Sequence, residues 1–534
     1  MTSEASAAPP VGAEAQFVSF PALIRQHAGA LGDSPAFICA DQALTWKELA
    51  DKVSRIGAAC RAMGAHEGDK VALLASMSLE VLATFFGVVE AGACSVPLAT
   101  SATPASLLSM LRDSDAKVLL ASADMHAAIG EIEATLLQEF SGHLVAIDFA
   151  APGWLAWDDW VANAPAALPP VTLTPEQDFN LIYSSGTTGT PKGILHRHGM
   201  RYQQAARRIF SLGPESVMLL STPIYSNTTL QPMLAALAAG GATVLMPKFN
   251  AAVYLQLCQR YRVTHTMLVP VQYQRILDTP EFSRTDLSAF VLKQCTGAPL
   301  DAGLKARIRQ QWPGKLREIY GMTEGGVSCV LDADRYPDKL GTVGKPAPNH
   351  DIRIIDDAGH ILKQGEAGEI VGRSPYMMAG YYKKPEATRE FYWFDETGAK
   401  FHRSGDIGRF DAEGFLTLLD RKKDMIISGG FNIYAADLEA VIAAHPGVAE
   451  VTVIGIPSAQ WGETPLALVV PKAGSNTGAD ELLRWTNEKV GKTQRLSAVE
   501  LRKELPRSAL GKVLKRELRE AYWKEAIPAA KAAP

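Results

Sequence analysis

The spacing of hydrophobic and polar residues predicts alternating helices and strands over the first 340 residues or so. Leu44–Ala65 has apolar residues at helical spacing, "DKVALLA" follows as a short buried strand, and "SLEVLATFFGVVEAGA" is predicted as a second apolar helix. Such alternation is typical of α/β domains with parallel sheets. Further strands are predicted near Leu120, Val145, Leu219, Val244, Leu268 and Val291.

The pattern changes near residue 340. Gly341 to Leu419 is rich in glycine and in short strand signals, and the charged run "DRKKD" occupies residues 420–424. Beyond it, a helix, two strands and another helix predict a small α+β unit. We therefore expect a tail at 1–16, an N-terminal domain at 17–420 whose β-rich part spans about 341–419, and a C-terminal domain at 421–534.

Composition narrows the class of protein. The chain has 534 residues, of which 47% are hydrophobic, and a net charge of −4, so no basic surface for nucleic acid is expected. No apolar run approaches the roughly 18 residues of a membrane helix. The six cysteines form no C-x-x-C pair, which favours free buried thiols in a reducing compartment. We expect a cytoplasmic protein.

One loop carries the first sign of chemistry. The segment "YSSGTTGTPKG" (Tyr183–Gly193) is rich in glycine and hydroxyl residues, whose backbone N–H and O–H groups can converge on an anion. A strand before the loop and a helix after it, "HGMRYQQAARRIF", would aim a positive helix end at phosphate. It is not a Walker loop, because Pro191 stands where that pattern needs glycine and Gly193 follows Lys192. On composition alone, a flexible surface turn is the alternative.

Five further motifs follow in order along the chain. They are "TGAPL" (Thr296–Leu300), "IYGMTEGG" (Ile319–Gly326), "HRSGDIG" (His402–Gly408), "DRKKDMIISGGFNIY" (Asp420–Tyr434) and "PRSALGKVLKREL" (Pro506–Leu518). With the loop, they resemble the adenylate-forming superfamily, which includes acyl- and aryl-CoA ligases, peptide-synthetase adenylation domains and luciferases. The resemblance runs from about Leu44 to Glu520, and other segments, such as "VPVQYQRIL", are similar to coumarate- and benzoate-type ligases.

The resemblance implies the fold and a site for ATP and Mg²⁺. The fold would be α/β, with a large N-terminal domain of mixed α/β subdomains, a small β-rich subdomain and a small mobile α+β C-terminal domain. Thr323 would reach the α-phosphate, Glu324 would hold magnesium with Thr187, and Lys512 would be the catalytic lysine. The other residues implied to bind ATP or AMP are Ser184, Ser185, Gly186, Thr187, Thr188, Gly189, Lys192, Gly297, Ala298, Pro299, Tyr320, Gly321, Met322, Asp406 and Arg421.

These residue types suit the chemistry. A carboxylate becomes an acyl donor when it attacks the α-phosphorus of ATP, and cations and donors aimed at the phosphoryl oxygens stabilise that step. Glu324 offers the hard oxygen that magnesium prefers. Taken singly, Lys512 could be a surface lysine, Glu324 a loop acid and Asp406 a turn residue. Their occurrence together and in order favours the functional interpretation.

The resemblance also implies a second step at the same site. The C-terminal domain would swing about a hinge at Lys423 and admit coenzyme A. Gly430, Phe431, Trp461 and Arg495 are the implied CoA-binding residues, although Trp461 could instead be a packed core residue. Leu496 stands where the family commonly has proline.

The acyl pocket departs most from the family pattern. Ser226 and Asn227 follow Tyr225 where most relatives have histidine after an aromatic residue. The hydroxyls and amides here could bind an oxygenated acid, or they could simply satisfy backbone groups at a helix start. An aromatic or medium-chain acid is favoured. The implied pocket residues are Tyr225, Ser226, Asn227, Thr228, Gln294, Thr296, Gly325, Gly326 and Val327.

The predicted function is an AMP-forming carboxylic acid–CoA ligase. Its partners would be a small carboxylic acid and CoA, and its oligomeric state stays open, with a homodimer as one option. The alternative is a stand-alone adenylation enzyme that loads a carrier-protein thiol. A nucleotide-binding relative without CoA chemistry is a third class, against which Lys512, Glu324 and Asp406 argue.

Overall fold

A computed structural model describes residues 16–165, 171–184, 191–428, 431–508 and 511–530. The chain forms two compact units. The first comprises Met1–Leu340, Pro346–Asp351 and Gly372–His402, and the second comprises Gly341–Lys345, Ile352–Val371 and Arg403–Pro534. About half of the predicted β-rich part thus falls in the same unit as the C-terminal segment, while the boundary near residue 420 stays a prediction.

The helices are as follows. They are α1 (Phe20–Leu31), α2 (Trp46–Ala62), α3 (Leu79–Glu90), α4 (Pro104–Ser114), α5 (Ala123–Ile129), α6 (Glu133–Glu139), α7 (Trp157–Ala162), α8 (His198–Ala205), α9 (Asn227–Ala239), α10 (Ala251–Arg260), α11 (Pro270–Leu277), α12 (Ala302–Gln311), α13 (Pro385–Glu390), α14 (Ala435–Ala443), α15 (Ala479–Asn487) and α16 (Lys515–Ala530).

The strands of the N-terminal 340 residues are β1 (Pro35–Cys39), β2 (Gln42–Thr45), β3 (Lys70–Leu74), β4 (Cys94–Pro97), β5 (Ala116–Ala121), β6 (His143–Ala146), β7 (Leu155–Ala156), β8 (Asp178–Ser184), β9 (Lys192–Arg197), β10 (Val217–Leu220), β11 (Ala242–Leu245), β12 (His265–Leu268), β13 (Leu292–Cys295), β14 (Lys315–Gly321) and β15 (Ser328–Asp332). Those that follow are β16 (Lys345–Pro346), β17 (Asp351–Ile355), β18 (Gly368–Arg373), β19 (Gly380–Tyr381), β20 (Tyr392–Phe394), β21 (Lys400–Phe410), β22 (Leu416–Arg421), β23 (Ile426–Ser428), β24 (Phe431–Ile433), β25 (Val448–Ser458), β26 (Gly462–Pro471) and β27 (Ala498–Leu501).

Two large mixed sheets form the first unit. One has the strand order β15-β14-β13-β12-β10-β11-β1-β2, with parallel pairs from β14 to β1 and antiparallel strands at both ends. The other has the order β19-β9-β8-β4-β3-β5-β6-β7, and its β8–β9 and β9–β19 pairs are antiparallel. The predicted α/β class is confirmed.

The main hydrophobic core lies between these sheets. Helices α2, α3 and α9 contribute to one buried cluster together with strands of both sheets. Side chains alternate across a strand, so Met218 and Leu220 of β10 face this cluster while Leu219 faces a separate one. The apolar helix predicted here is confirmed as α3, in which every residue except Glu80 is buried.

Local signals explain where the predicted helices begin. Thr45 accepts a hydrogen bond from the Glu48 amide at 3.2 Å, and the Glu48 carboxylate accepts one from the Thr45 amide at 2.9 Å. This capping box starts α2 at Trp46, two residues after the beginning of the predicted helical pattern.

The second unit contains two smaller sheets. Most of β17, β18 and β21, with β22, form the first, and β24-β23-β26-β25, with β27 beside β26, form the other. Helices α14 and α15 pack on the latter around Leu438, Ile442 and Leu482. The predicted order of helix, two strands and helix is confirmed here, and the mobility of this segment stays a prediction.

The sequence analysis also made predictions about the cysteines and about membrane helices. All six cysteines are free thiols, and five of them are buried, with Cys39 half-buried. Within the described part of the chain, no helix is both long and apolar enough to cross a membrane.

Buried histidines predict a pH-dependent stability. Burial lowers the pKa of His198, His350 and His402 to about 4, compared with an ordinary value near 6.5. Below pH 6.5 the unfolded chain binds protons at these rings before the folded chain does. The free energy of unfolding should therefore fall as the pH falls from about 6.5 to about 4, by up to roughly 1.4 kcal/mol per pH unit for each histidine.

The substitution His198→Phe tests this expectation. Neither ring nitrogen of His198 has a hydrogen-bond partner among the described residues, and its ring meets Phe179 edge-on at 5.1 Å. The variant should lose less stability than the wild type between pH 6.5 and 4 in urea unfolding followed by fluorescence. Replacement of the exposed His143 is the control, and equal pH slopes for all three proteins would contradict the prediction.

Candidate active site

The predicted phosphate loop connects two antiparallel strands. Ser184 ends β8 opposite Lys192, which begins β9, and Ser185, Gly186, Thr187, Thr188 and Gly189 lie outside the described residues. The helix predicted after the loop is confirmed as α8, but strand β9 lies between the loop and this helix. Ile194 of β9 is buried against Met378 and Tyr381, so this apolar stretch completes a sheet, and α8 starts only at His198.

The turn Thr323–Gly325, here called the TEG turn, is bound through three consecutive carbonyls. His196 Nε2 donates to the Thr323 carbonyl at 2.8 Å, the Met378 amide donates to that of Glu324 at 2.8 Å, and His402 Nδ1 donates to that of Gly325 at 3.2 Å. These donors come from three separate chain segments. The backbone of the turn is therefore fixed from several sides.

Glycine is required at the end of this turn. Gly325 has φ +69° and Gly326 has φ +86°. A Cβ at Gly325 would collide with the carbonyl oxygen of Tyr376. The segment around Tyr376 can run directly beside the turn because residue 325 has no side chain.

A tyrosine that the sequence analysis missed holds the Glu324 carboxylate. The Tyr381 hydroxyl donates to Glu324 Oε1 at 2.9 Å, and Lys192 Nζ lies 5.1 Å from the centre of the Tyr381 ring. Burial, and then the charge of Glu324, raises the pKa of Tyr381, so the phenol remains a neutral donor. The pair is 57 residues apart in sequence, and no local pattern announces it.

The residues fit a magnesium ion shared with a nucleotide. Among the described residues, no group of three His, Cys, Asp or Glu side chains could hold a metal by itself. Magnesium is commonly bound by one or two carboxylates together with substrate phosphates, which is the role that Glu324 suits. The second predicted ligand, Thr187, lies outside the described residues.

The predicted adenine segment is attached to β14. Thr296 Oγ1 donates to the Ile319 carbonyl at 2.8 Å, and the Leu300 amide donates to Glu318 at 3.0 Å. Glu318 in turn forms a buried ion pair with Lys305 at 2.6 Å. Gly297, Ala298 and Pro299 lie between these two anchors. Tyr320 and Gly321 end β14, and Met322 leads into the TEG turn.

The hydroxyls of the predicted acyl pocket serve the helix start. Ser226 is the N-cap of α9, and its Oγ accepts from the Thr228 amide at 3.3 Å and lies 2.5 Å from the Thr228 hydroxyl. The Tyr225 hydroxyl lies 3.4 Å from Ser101 Oγ. Ser226 and Thr228 are therefore hydrogen-bonded to each other at the helix start, which agrees with the alternative that these residues satisfy backbone groups there.

Two amide side chains of the predicted pocket, unlike its hydroxyls, lack hydrogen-bond partners among the described residues. Within the described residues, the buried amide nitrogen and oxygen atoms of Asn227 and of Gln294 have no hydrogen-bond partner. Gln294 has 0% exposure and lies opposite Met267 in register, on the sheet face that meets the central core. Gly325, Gly326 and Val327 are also buried.

Arg207 is a further polar group near this wall that the sequence did not reveal. Its guanidinium lies 4.6 Å from the centre of the Tyr376 ring, beside the backbone that contacts Gly325. Its Nη2 is buried without a hydrogen-bond partner among the described residues, and burial lowers the pKa of Arg207.

In the second unit, four predicted residues form a charged group. Arg421 Nε contacts Asp406 Oδ1 at 3.0 Å across the β21–β22 pair. Desolvation lowers the pKa of Lys512 to about 8, the charges of Arg421 and Lys423 act in the same direction, and Asp406 opposes them. The Lys423 carbonyl accepts from Arg519 at 2.9 Å, in the turn that was predicted as a hinge.

The predicted CoA-binding residues are partly placed. Trp461 is 51% exposed in the turn between β25 and β26, so it is not a core residue. Arg495 is exposed, and Leu496, at the usual proline position, is buried in the α14–α15 core. Phe431 begins β24, but its side chain is not among those described. Gly430 lies outside the described residues.

Comparisons with known proteins agree with these motifs. The AMP-binding enzyme family matches residues 24–382, and the AMP-binding enzyme C-terminal domain matches residues 437–512. A feruloyl-CoA synthase of Amycolatopsis sp is 34% identical over 90% of this chain and 94% of that protein. An indoleacetate–CoA ligase of Aromatoleum aromaticum is 32% identical over 93% of this chain and 97% of that protein.

A solved structure is also similar over nearly the whole length. The anthranilate CoA ligase AuaEII, in complex with anthranoyl-AMP, has a TM-score of 0.85 and 25% identity, and the match covers 96% of this chain and 98% of that one. The predicted class of enzyme, an AMP-forming acid–CoA ligase, is confirmed by these relatives. The chain belongs to the family of AMP-binding enzymes.

Proposed function

We propose that this CoA ligase activates an aromatic carboxylic acid whose ring carries a hydrogen-bonding substituent. The observation that carries the proposal is the pair of buried, unpartnered amides at Asn227 and Gln294. Relatives named for feruloyl, indoleacetate and anthranilate substrates, all aromatic, support it.

The energetics of burial favour such an acid. A buried polar group without a partner costs about 1–3 kcal/mol, and a substrate that supplies the partner recovers that cost. A hydroxyl, methoxyl or amino group on the ring can do this, whereas an alkyl chain leaves both amides unpaired. Arg207 Nη2 adds a charged donor beside Tyr376, whose backbone contacts Gly325.

In the first step, a carboxylate oxygen attacks the α-phosphorus of ATP and pyrophosphate leaves. We assign the Thr323 hydroxyl and the Lys512 ammonium to the charge on the α-phosphoryl oxygens, and preorganised donors of this kind are worth about 2.7–4 kcal/mol each. Glu324 would hold Mg²⁺, which neutralises phosphate charge when bound. Tyr381 keeps the Glu324 carboxylate oriented.

In the second step, the thiol of CoA attacks the carbonyl carbon of the acyl adenylate and AMP leaves. Motion about Lys423 would replace Lys512 with the surface that carries Trp461, Gly430, Phe431 and Arg495. The same chemistry serves a carrier-protein thiol, so thioester formation with free CoA separates the two functions. A cytoplasmic location and a homodimer stay predictions.

The proposal predicts selectivity for a ring substituent. With CoA and ATP, 4-hydroxycinnamate should give a higher kcat/KM than cinnamate, which lacks only the hydroxyl, and than octanoate. Gln294→Leu should reduce this preference by about tenfold, since one hydrogen bond is lost. Gln274→Leu, at an exposed position of α11, is the control, and a wild type that prefers octanoate or cinnamate would contradict the proposal.

The lowered pKa of Lys512 predicts that the rate of the first step depends on pH. A lysine with a pKa of about 8 is charged below that pH and neutral above it, so acid-dependent pyrophosphate exchange should decline as the pH rises through 8. Lys512→Arg, which keeps its charge, should lower the rate but flatten the decline. Lys512→Ala should abolish exchange and spare thioester formation from supplied acyl adenylate, and equal loss in both steps would refute the assignment.

Tyr381 predicts a change in magnesium dependence. Tyr381→Phe removes the donor to Glu324 and should raise the Mg²⁺ concentration for half-maximal ATP binding by roughly tenfold, as is usual for groups that orient a metal ligand. Calorimetric titration at several Mg²⁺ concentrations measures this. Tyr382→Phe, whose hydroxyl instead contacts Asp115, should behave as wild type, and an unchanged Mg²⁺ dependence for Tyr381→Phe would count against the role of Glu324.

A further inference from the structure

We infer that His196 is a positioning residue for the TEG turn, and that Arg201 and Asn180 hold its ring in the required orientation. The inference rests on the proposed function in one respect, the assignment of Thr323 to the α-phosphate. His196 does not reach the nucleotide itself. It acts through the carbonyl of Thr323, to which it donates at 2.8 Å.

The bonds around the ring define which nitrogen carries the proton. A carbonyl only accepts, so Nε2 of His196 must be protonated. On the other side, Arg201 Nη2 lies 3.1 Å and Asn180 Nδ2 lies 3.3 Å from Nδ1. Both are donors, so Nδ1 must accept, and the two sides of the ring require the same neutral tautomer.

The ring stays neutral because of its surroundings. Burial, and then the charge of Arg201, holds the pKa of His196 well below its ordinary value. Burial lowers the pKa of Arg201 to about 9, which still leaves a cation at neutral pH. The hydrogen bond to Thr323 therefore does not titrate near neutral pH.

Burial of the charged Arg201 side chain costs free energy of folding. The side chain has 0% exposure, and its hydrogen bonds go to neutral groups: Asn180 Oδ1 at 2.8 Å, Gln204 Oε1 at 3.0 Å and His196. Packed apolar residues usually fill such a volume at lower cost than buried charge. The hydrogen bonds of Arg201 lead through His196 to the TEG turn. Orientation of His196 is therefore a function that can offset the free-energy cost of burying Arg201.

One hydrogen bond can orient two side chains at this point. The carbonyl of Thr323 belongs to the peptide unit that joins Thr323 to Glu324. A fixed peptide unit restricts the ψ angle of Thr323 and the φ angle of Glu324, and these two angles help to set the directions of the Thr323 hydroxyl and the Glu324 carboxylate. His196 thus acts on the group assigned to the α-phosphate and on the group assigned to magnesium.

Binding of Mg·ATP and of adenosine separates this role from general stability. Adenosine has the base and ribose but no phosphate. His196→Leu should weaken Mg·ATP binding by about tenfold, as expected for one lost hydrogen bond, and leave adenosine binding within about twofold. His196→Gln should bind both as the wild type does, because its amide nitrogen can take the place of Nε2 and its oxygen that of Nδ1.

A double-mutant cycle identifies the residue through which His196 acts. Thr323→Val keeps the carbonyl but removes the hydroxyl, so the effect of His196→Leu on Mg·ATP binding should be several-fold smaller in that background. If His196→Leu does not fold, His196→Asn makes the same test, since its shorter amide cannot reach Thr323. All variants are measured by calorimetry after thermal melting confirms folding.

Three results would overturn the inference. They are parallel losses of Mg·ATP and adenosine binding, a His196→Gln variant as impaired as His196→Leu, or full additivity with Thr323→Val. These measurements need no carboxylic acid. An error in the proposed acid would therefore appear in the turnover of the acid panel and leave this test unaffected.

Discussion

The hydrogen bonds to the three consecutive carbonyls of the TEG turn are the constraint on which the proposed chemistry depends. They come from His196, Met378 and His402, so the turn cannot rotate without breaking contacts to three distant segments. Thr323 and Glu324 therefore begin from a fixed backbone. Preorganisation of this kind lets a hydroxyl and a carboxylate act on phosphate and magnesium without the cost of ordering them during the reaction.

The same turn links the nucleotide chemistry to the choice of acid. Gly325 ends it, and the backbone of Tyr376 packs where a side chain would otherwise stand. The Arg207 guanidinium lies over the Tyr376 ring. The amides of Asn227, on α9, and Gln294, on β13, have no hydrogen-bond partner among the described residues. A substituted ring would satisfy groups that the protein alone leaves unpaired, and so selectivity would come from completing the pocket.

Most of the fold and the order of the motifs could be predicted from the sequence, because helices such as α2 and α3 and the buried strands carry local periodic signals. The phosphate loop shows the limit: strand β9, between the loop and α8, was not predicted, since its pairing with β19, near residue 380, has no local signature. Tyr381, His196, Arg201 and Arg207 were missed for the same reason. Tyr381 and His196 act on residues 57 and 127 positions away in sequence, and an isolated tyrosine or arginine says nothing about its partner.

An AMP-forming ligase first joins the acid to AMP through one of the acid's own carboxylate oxygens. Turnover of ¹⁸O-carboxylate-labelled 4-hydroxycinnamate with ATP and CoA, followed by mass spectrometry of the nucleotide, tests this directly. One labelled oxygen should appear in AMP, because the thiol attacks the acyl carbon and AMP leaves with that oxygen attached to phosphorus. Unlabelled AMP, or ADP with label in inorganic phosphate, would contradict it.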